Sequence, residues 1–440
     1  MAQFFKPQKA TQTQAQRRLT ISSLDHEGVG VTRDKNKVCF VEGALTGETV
    51  LAKPLQSKAK FERLVTSKVL TPSPYREAPF CDHYGVCGGC QLQHLQLSQQ
   101  LIEKQHAVSQ LFAKFAKIEQ LNWQEPLSSQ PLHYRRSARV AVFYDKHTRT
   151  FNIGFRRKGS KKVVDIKTCP ILDERFSSIF TEFRALLPTL KQGSAITHLQ
   201  LCAANHAYLV VRHIKALPEK DIDALKALCQ QHDWSLMLQA ESGQYLLGEL
   251  TQPAYHLSEL DLTLEFNLDN FVQVNDVVNQ KMLSQAINWL ALEKHEKVLD
   301  LFCGIGNFSL AMARHAQSVV GIEGVHSSVT MAEHNAELNQ ISNAQFICQD
   351  LSLDMRSNEW FKQPFDVLVL DPSRGGAFDI LQQLKLKRFK RILYVSCDPV
   401  TLARDSQLIS AAGFEQQKIA LMNMFPHTGH IETMALYVKR

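Results

Sequence analysis

Nowhere does an apolar run approach the roughly eighteen residues needed to cross a bilayer, so a membrane-spanning class has no support. The stretch Met1 to Arg18 is polar, Gln-rich and basic and lacks the apolar segment of a secretory signal, so a cytoplasmic protein is expected. No internal repeat and no low-complexity tract is present, which argues against a solenoid or a long disordered linker. Neither sign of charge dominates: 50 Lys and Arg stand against 43 Asp and Glu, and the resulting +7 suits a polyanionic partner without demanding one. Two motifs are also missing. The glycine signature lacks its third glycine, because Ser309 stands there, and the Cys-x3-Cys-x2-Cys spacing of radical enzymes is absent.

What is present is enough apolar material, 44% of 440 residues, for several cores. Residues 12–70 alternate in short runs such as Val29-Gly30-Val31-Thr32 and Val38-Cys39-Phe40-Val41, the pattern of a small OB-like β-barrel. Lys53, Lys58, Lys60, Arg63 and Lys68 would face phosphates from its surface. Thr71-Pro72-Ser73-Pro74 breaks regular structure, and residues 71–270 then read as a central α+β domain, helical from Gln91 to about Lys117 and rich in strands after His133. Residues 271–440 alternate buried strands with helices, the text of a doubly wound sheet, so the chain as a whole is multidomain α/β.

After the strand Lys297 to Leu301 comes Phe302-Cys303-Gly304-Ile305-Gly306-Asn307, and glycines at a strand-to-helix turn let a ligand lie against the backbone at the sheet's carboxyl edge. Glu323 closes the next strand where an acid commonly receives ribose hydroxyls, and Asp350 ends the third. That spacing fits either a dinucleotide or S-adenosylmethionine, and Ser309 tilts the choice away from the dinucleotide. Tyr394-Val395-Ser396-Cys397-Asp398-Pro399 sets a cysteine just past an apolar strand on the same rim. Such a thiolate suits methylation of uracil at C5: addition to C6 gives C5 the carbanion character it lacks, after which a base must remove the C5 proton. Glu432 or His430, in His427-Thr428-Gly429-His430-Ile431-Glu432, could supply that base. Asp371-Pro372-Ser373-Arg374 follows another strand on this rim.

Cys81-x5-Cys87-x2-Cys90, with the distant Cys169-Pro170, offers four thiolates for zinc or an iron–sulfur cluster. Cys39, Cys202, Cys229 and Cys348 read as incidental. Phe155-Arg156-Arg157-Lys158-Gly159-Ser160-Lys161-Lys162 and Tyr134-Arg135-Arg136 join cations to aromatic rings, a combination that serves phosphates and splayed bases.

The segments Asp300 to Phe308, Ser396 to Pro399, His427 to Glu432 and Phe271-Val272-Gln273-Val274-Asn275 together resemble the bacterial RNA uracil-C5 methyltransferases. The resemblance implies a Rossmann-like methyltransferase domain. It also implies that Gln273, Phe302, Asn307, Glu323, Asp350 and Asp371 contact S-adenosylmethionine, with Cys397 as nucleophile and Glu432 as base. Ser373, where many relatives carry proline or alanine, departs from the pattern. The four cysteines and the basic barrel resemble the branch with a TRAM domain and a [4Fe-4S] cluster held by Cys81, Cys87, Cys90 and Cys169. That branch implies 23S ribosomal RNA as partner. The competing expectations are a non-enzymatic RNA-binding module with a structural metal, and an enzyme of this kind acting on another RNA such as tRNA.

Overall fold

Alternating burial along the first strands explains the first layer of the computed structural model, which describes residues 16–240, 245–247 and 251–440. The stretch on which a secretory signal was sought lies, through residue 15, outside the described residues, as do residues 12–15 of the expected barrel. Strands β1 (Arg17–Thr20), β2 (Ser23–Leu24), β3 (Gly30–Asp34), β4 (Lys37–Glu42), β5 (Thr49–Ser57) and β6 (Phe61–Thr71) form one sheet in the order β1-β5-β6-β4-β3-β2. Leu19, Cys39, Val41, Val50, Ala52 and Leu64 fill its interior, while Lys53, Lys58, Lys60, Arg63 and Lys68 are all exposed. The period of two that buries one set exposes the other.

The helix read from Gln91 begins later, as α1 (Leu97–Leu111), followed by a π-helical turn at Phe112–Ala116. The delay has a cause. The N–H groups of Gln91 and Leu92 both donate to the carbonyl of His427, and that of Gln96 to Tyr75, so none is free for a helical ladder.

A second sheet runs β13-β12-β11-β10-β7-β8-β9, from β7 (Ser137–Asp145), β8 (Thr150–Arg156), β9 (Val163–Asp165), β10 (Ile196–Ala203), β11 (Ala207–His213), β12 (Trp234–Ala240) and β13 (Tyr245–Leu247). Val140, Val142, Ile153, Leu199 and Val211 point to one side, where α2 (Ile179–Leu186) and α3 (Glu219–Gln231) bury Phe180, Phe183 and Leu225 against them. A hairpin, β14 (Ala254–Leu257) with β15 (Leu262–Glu265), leads into the third sheet.

That sheet has the order β18-β17-β16-β19-β20-β22-β21, built from β16 (Lys297–Leu301), β17 (Ser318–Glu323), β18 (Ala344–Cys348), β19 (Val367–Leu370), β20 (Arg391–Ser396), β21 (Phe414–Met422) and β22 (Glu432–Lys439). The first five strands are parallel; β22, inserted beside β20, runs against them, and β21, antiparallel to β22, runs with them again. The strands are apolar throughout because helices cover both faces. On one face lie α4 (Asp276–Leu290), α5 (Asn307–Ala313) and α6 (His326–Leu338). On the other, α1 contributes Ala107, Val108 and Phe112 beside the helix Pro399–Ala411. Among the described residues no helix is long and apolar enough to cross a membrane.

Candidate active site

Strand register places the two groups that the chemistry needs side by side. The β20–β22 ladder ends where Ser396 pairs with Thr433, so Cys397 and Glu432 stand immediately beyond its last rung, with Glu432 among the charges that act on the Cys397 thiol. The local sequence fixes the end of β20. Asp398 caps the helix Pro399–Ala411 by accepting from the N–H groups of Val400 (2.9 Å) and Thr401 (3.2 Å), with Pro399 at the first helical position. Cys397 is therefore held between a strand end and a helix cap.

Electrostatics at this ladder end favour neutral groups. Burial, then the nearby Glu432 and Asp371, push the Cys397 thiol up to about 12, opposed by Arg374. Burial and Asp371 raise the Glu432 carboxyl to about 8, opposed by Arg374 and by Lys104. Asp371, which ends β19, is raised by burial to about 7. His430 is held below its ordinary value by burial and by Arg374, whose Nη2 donates to His430 Nδ1 at 3.2 Å. An imidazole whose free nitrogen already accepts from a guanidinium is a poor proton acceptor, whereas Glu432 is poised near neutrality.

Lys104 escaped the reading of the sequence. It is buried on α1, and burial brings its ammonium down to about 8 while Glu432 opposes that fall. One turn earlier on the same helix, Gln100 accepts from the His427 N–H at 3.0 Å. Thus α1 presents Gln100 and Lys104 in succession to the segment that carries Glu432. A lysine in an amphipathic helix gives no local signal of this contact; only the tertiary placement reveals it.

The cofactor candidates gather at the carboxyl end of the parallel strands, as expected for an open α/β sheet. Phe302 adopts φ +67°, and Gly304 and Gly306 adopt φ +56° and +91°, a left-handed turn that glycine accepts without cost. Glu323 accepts from the N–H groups of Gly304 (3.2 Å) and Val325 (2.9 Å), which orients it at the tip of β17. Asp350 is tied to Ser352, whose N–H and hydroxyl both donate to it and hold its carboxyl below the usual range. Ser309 donates to the buried Asp300, which explains why a hydroxyl replaces glycine there.

Two further residues orient this edge. The Tyr255 hydroxyl donates to Asn307 Oδ1 at 3.0 Å, and Asn307 Nδ2 donates to Asn279 Oδ1 at 2.9 Å. From the central sheet's leading strand, Arg136 Nε donates to the Gln273 carbonyl at 2.6 Å and Nη1 to Asp276 at 2.9 Å, with its guanidinium 4.6 Å from the Tyr255 ring. Tyr255 acts from outside the expected motifs, and Arg136 from the Tyr134-Arg135-Arg136 group that was expected to meet RNA. A cavity of about 1020 Å³ lies behind this loop, lined by Arg136, Tyr255, Asp276 and Lys281, and stands apart from the catalytic pair.

Cys81, Cys87, Cys90 and Cys169 line one cavity of about 540 Å³ together with Arg135, Arg139 and Arg156. Burial raises Cys90 to about 11 and Cys169 to about 12, and the neighbouring thiols push both further. Among the described residues, no group of three or more His, Cys, Asp or Glu is arranged to hold a metal ion. Cys39, Cys202 and Cys229 are buried, and Cys348 is exposed. Of the basic hairpin, Lys158 is committed to Glu42 of the first sheet at 2.8 Å, and Arg157 and Lys161 remain exposed.

The tRNA (Uracil-5-)-methyltransferase family pattern matches residues 96–440. The chain is 54% identical over 442 residues to the 23S rRNA (uracil(1939)-C(5))-methyltransferase RlmD of Pseudoalteromonas translucida (strain TAC 125), with 100% of each covered. It is 44% identical over 444 residues to the protein of the same name from Vibrio cholerae, again over 100% of both. Its fold is similar to that of the Pyrococcus abyssi tRNA (uracil-54, C5)-methyltransferase in complex with S-adenosyl-L-homocysteine, with TM-score 0.72, 21% identity, 96% of this chain covered and 100% of that one.

Proposed function

The chain belongs to the tRNA (uracil-5-)-methyltransferase family, S-adenosylmethionine-dependent enzymes that make 5-methyluridine in RNA, and from that premise we propose that its substrate is 23S ribosomal RNA at the position equivalent to uracil 1939. The 54% identity over the whole chain supports this choice, since it extends through the first sheet and the cysteine-lined cavity. The first sheet is read as the TRAM barrel, whose exposed lysines meet phosphates.

The observation that carries the mechanism is the pairing of Ser396 with Thr433, which sets Cys397 and Glu432 at adjoining positions just beyond the ladder, with Glu432 acting on the Cys397 thiol. Cys397 loses its proton and adds to C6 of the flipped uracil, and the electron pair passes to C5 and the O4 enolate. Arg374, the cation that favours both the thiolate and the Glu432 carboxylate, offsets the charge developed here. The C5 carbanion takes the methyl group of S-adenosylmethionine, the co-substrate, as its S–CH3 bond breaks and the neutral thioether S-adenosyl-L-homocysteine leaves. Glu432 then takes the C5 proton, the C5–C6 double bond re-forms and the Cys397 sulfur leaves. Lys104 holds Glu432 closer to its ionised, proton-accepting form. Gln273, Phe302, Asn307, Glu323, Asp350 and Asp371 are read as the residues that bind the co-substrate.

The four cysteines suit a [4Fe-4S] group, because their cavity is broad and four thiols that destabilise one another's ionisation gain by meeting a cationic centre. Cys81, Cys87, Cys90 and Cys169 would hold such a group, which would supply a structural tie between their two segments. The protein's own share is positional: Gln91, next to Cys90, and Leu92 donate to the carbonyl of His427 and so hold the segment that leads to Glu432.

The test is anaerobic incubation of the purified protein with methyl-labelled S-adenosylmethionine and unmodified 23S ribosomal RNA or tRNA, followed by nucleoside analysis. Label in 5-methyluridine at one site of the ribosomal RNA is expected. Label confined to tRNA would overturn the substrate reading while leaving the reaction intact.

A further inference from the structure

Packing leaves one face of the central sheet half covered. Its other face is closed by α2 and α3. On the open side, Cys202, Tyr208 and Val210 pack against the β14–β15 hairpin and Leu268, and Gln200 Nε2 donates to the Leu268 carbonyl. Beyond that cover the same face carries Arg139, Arg156, His198 and Arg212, with the Phe143 ring 52% exposed.

Register shows that these cations are neighbours. His198 lies opposite Ala141 on one side and Arg212 on the other, and Arg139 lies opposite Gln200. Ala141 pairs with Gly154 at the end of the β7–β8 ladder, and Arg139 and Arg156, each two residues beyond it on the same face, line one cavity and both act on His198. Two adjacent rungs therefore hold Arg139, His198 and Arg212 on strands about 4.8 Å apart, with Arg156 just beyond them. The small Ala141 and Gly154 leave a shallow floor between them.

Among the described residues, no carboxylate is paired with these cations. Arg139 donates to the Gln200 side-chain oxygen at 3.3 Å and Arg156 to the Lys161 carbonyl at 2.9 Å, both neutral acceptors. Two carboxylates stand at the margins, and both are committed. Asp145 accepts from the N–H groups of His147 and Thr148, and Asp165 accepts from Ile153 and Arg184. Burial, then Arg139, Arg212 and Arg156, hold the His198 imidazole below its ordinary value.

The cations also continue into the catalytic site. Arg139 and Arg156 share the cysteine-lined cavity with Arg135, and the Arg135 guanidinium lies 5.9 Å from the Phe425 ring. That ring packs 5.2 Å from His430, which in turn accepts from Arg374.

We propose that this half-open face, Arg139, Phe143, Arg156, His198 and Arg212, is the track on which a single-stranded segment of the substrate RNA, flanking the target uracil, lies as it leaves the catalytic pair. The cations take its phosphates, and Phe143 stacks a base. The proposal rests on the ribosomal RNA reading above. An acidic protein surface would answer the charge but would have no use for an exposed ring amid cations, nor for the continuity with Arg374.

The test measures affinity of the full-length, anaerobically purified protein for an unmodified 23S ribosomal RNA fragment spanning the target uracil, across salt concentrations. Melting temperature and S-adenosylmethionine affinity serve as checks on folding. The double variant Arg139→Glu/Arg212→Glu is expected to bind about 10-fold or more weakly, with a salt slope shallower by about 1.4 for two lost phosphate contacts to a single strand. Phe143→Ala is expected to lose about 10-fold without a change of slope. Lys385→Glu, at the amino end of the third sheet, should leave the slope unchanged. Ultraviolet cross-linking of the unaltered protein to the same RNA reads the face independently of any variant and should mark β7, β10 or β11. Unchanged affinity and slope in the variants, with no cross-link on those strands, would overturn the track and turn the face over to a protein partner. Failure of the unaltered protein to bind or methylate the ribosomal fragment would instead overturn the substrate reading, and the track with it.

Discussion

At Cys397 two influences oppose each other. Burial and two neighbouring carboxyls keep the sulfur protonated, while Arg374 and the N-terminus of the helix Pro399–Ala411 favour the thiolate. The sulfur is therefore quiescent until substrate rearranges the site, and Cys397→Ala is expected to abolish 5-methyluridine formation while retaining S-adenosylmethionine binding, as calorimetry would show. Glu432→Gln should lower turnover by about 10²–10⁴-fold and accumulate a methylated RNA–protein adduct visible on a denaturing gel. Because burial raises the Glu432 carboxyl to about 8, its base form increases as pH rises through 8, so kcat/KM should climb from pH 6.5 towards 9. Removing the Lys104 ammonium removes an influence that lowers that value, so Lys104→Met should move the climb to higher pH. A one-unit displacement would make the variant about 10-fold slower at pH 7; an unshifted profile would show that Lys104 only fills space. Cys397 and Glu432, proposed here as nucleophile and base, were legible as short motifs. Lys104 was not, because its partner lies far along the chain and on another element.

Elements decide how these groups meet. The sequence announces β20 by its apolar run and the helix after it by Asp398-Pro399, yet nothing local says that β22 enters the sheet antiparallel beside β20, which is what joins Cys397 to Glu432. The strand pattern of a doubly wound sheet was read correctly for the five parallel strands, because their burial on both faces leaves a continuous apolar signature. Tyr255 went unnoticed, and Arg136 was read only as part of a cation–aromatic group for RNA, for a different reason: each acts through hydrogen bonds to distant segments while most of its surface is buried. Tyr255→Phe should weaken S-adenosylmethionine binding about 5-fold, the worth of one hydrogen bond of about 1 kcal/mol, with little change in melting temperature. Gly429 illustrates close approach. A Cβ there would stand 2.2 Å from the carbonyl oxygen of Glu27, so Gly429→Ala must push the first sheet away from the catalytic segment. It should cost about 1–3 kcal/mol in chemical unfolding and lower activity on RNA.

Taken whole, the molecule ties its layers together at the catalytic segment: Glu27 from the first sheet, Gln91 from the cysteine loop and Gln100 from α1 all reach residues 427–429. The spacing of Cys81, Cys87, Cys90 and Cys169 was legible, but their convergence on one cavity follows from folding alone. Cys90→Ser is expected to lower iron content and activity together, measured by metal analysis and methyl transfer on the same sample. α1 has a further effect. It precedes the second sheet in the chain, yet Ala107, Val108 and Phe112 help wall the far face of the third sheet. During synthesis this helix emerges long before the strands it must cover, and it waits with an apolar face unmatched while more than a hundred residues follow. The catalytic half is thus no detachable unit: cut free at residue 271 it would carry an open apolar wall, and the order in which the ribosome delivers the chain becomes part of how the enzyme is assembled.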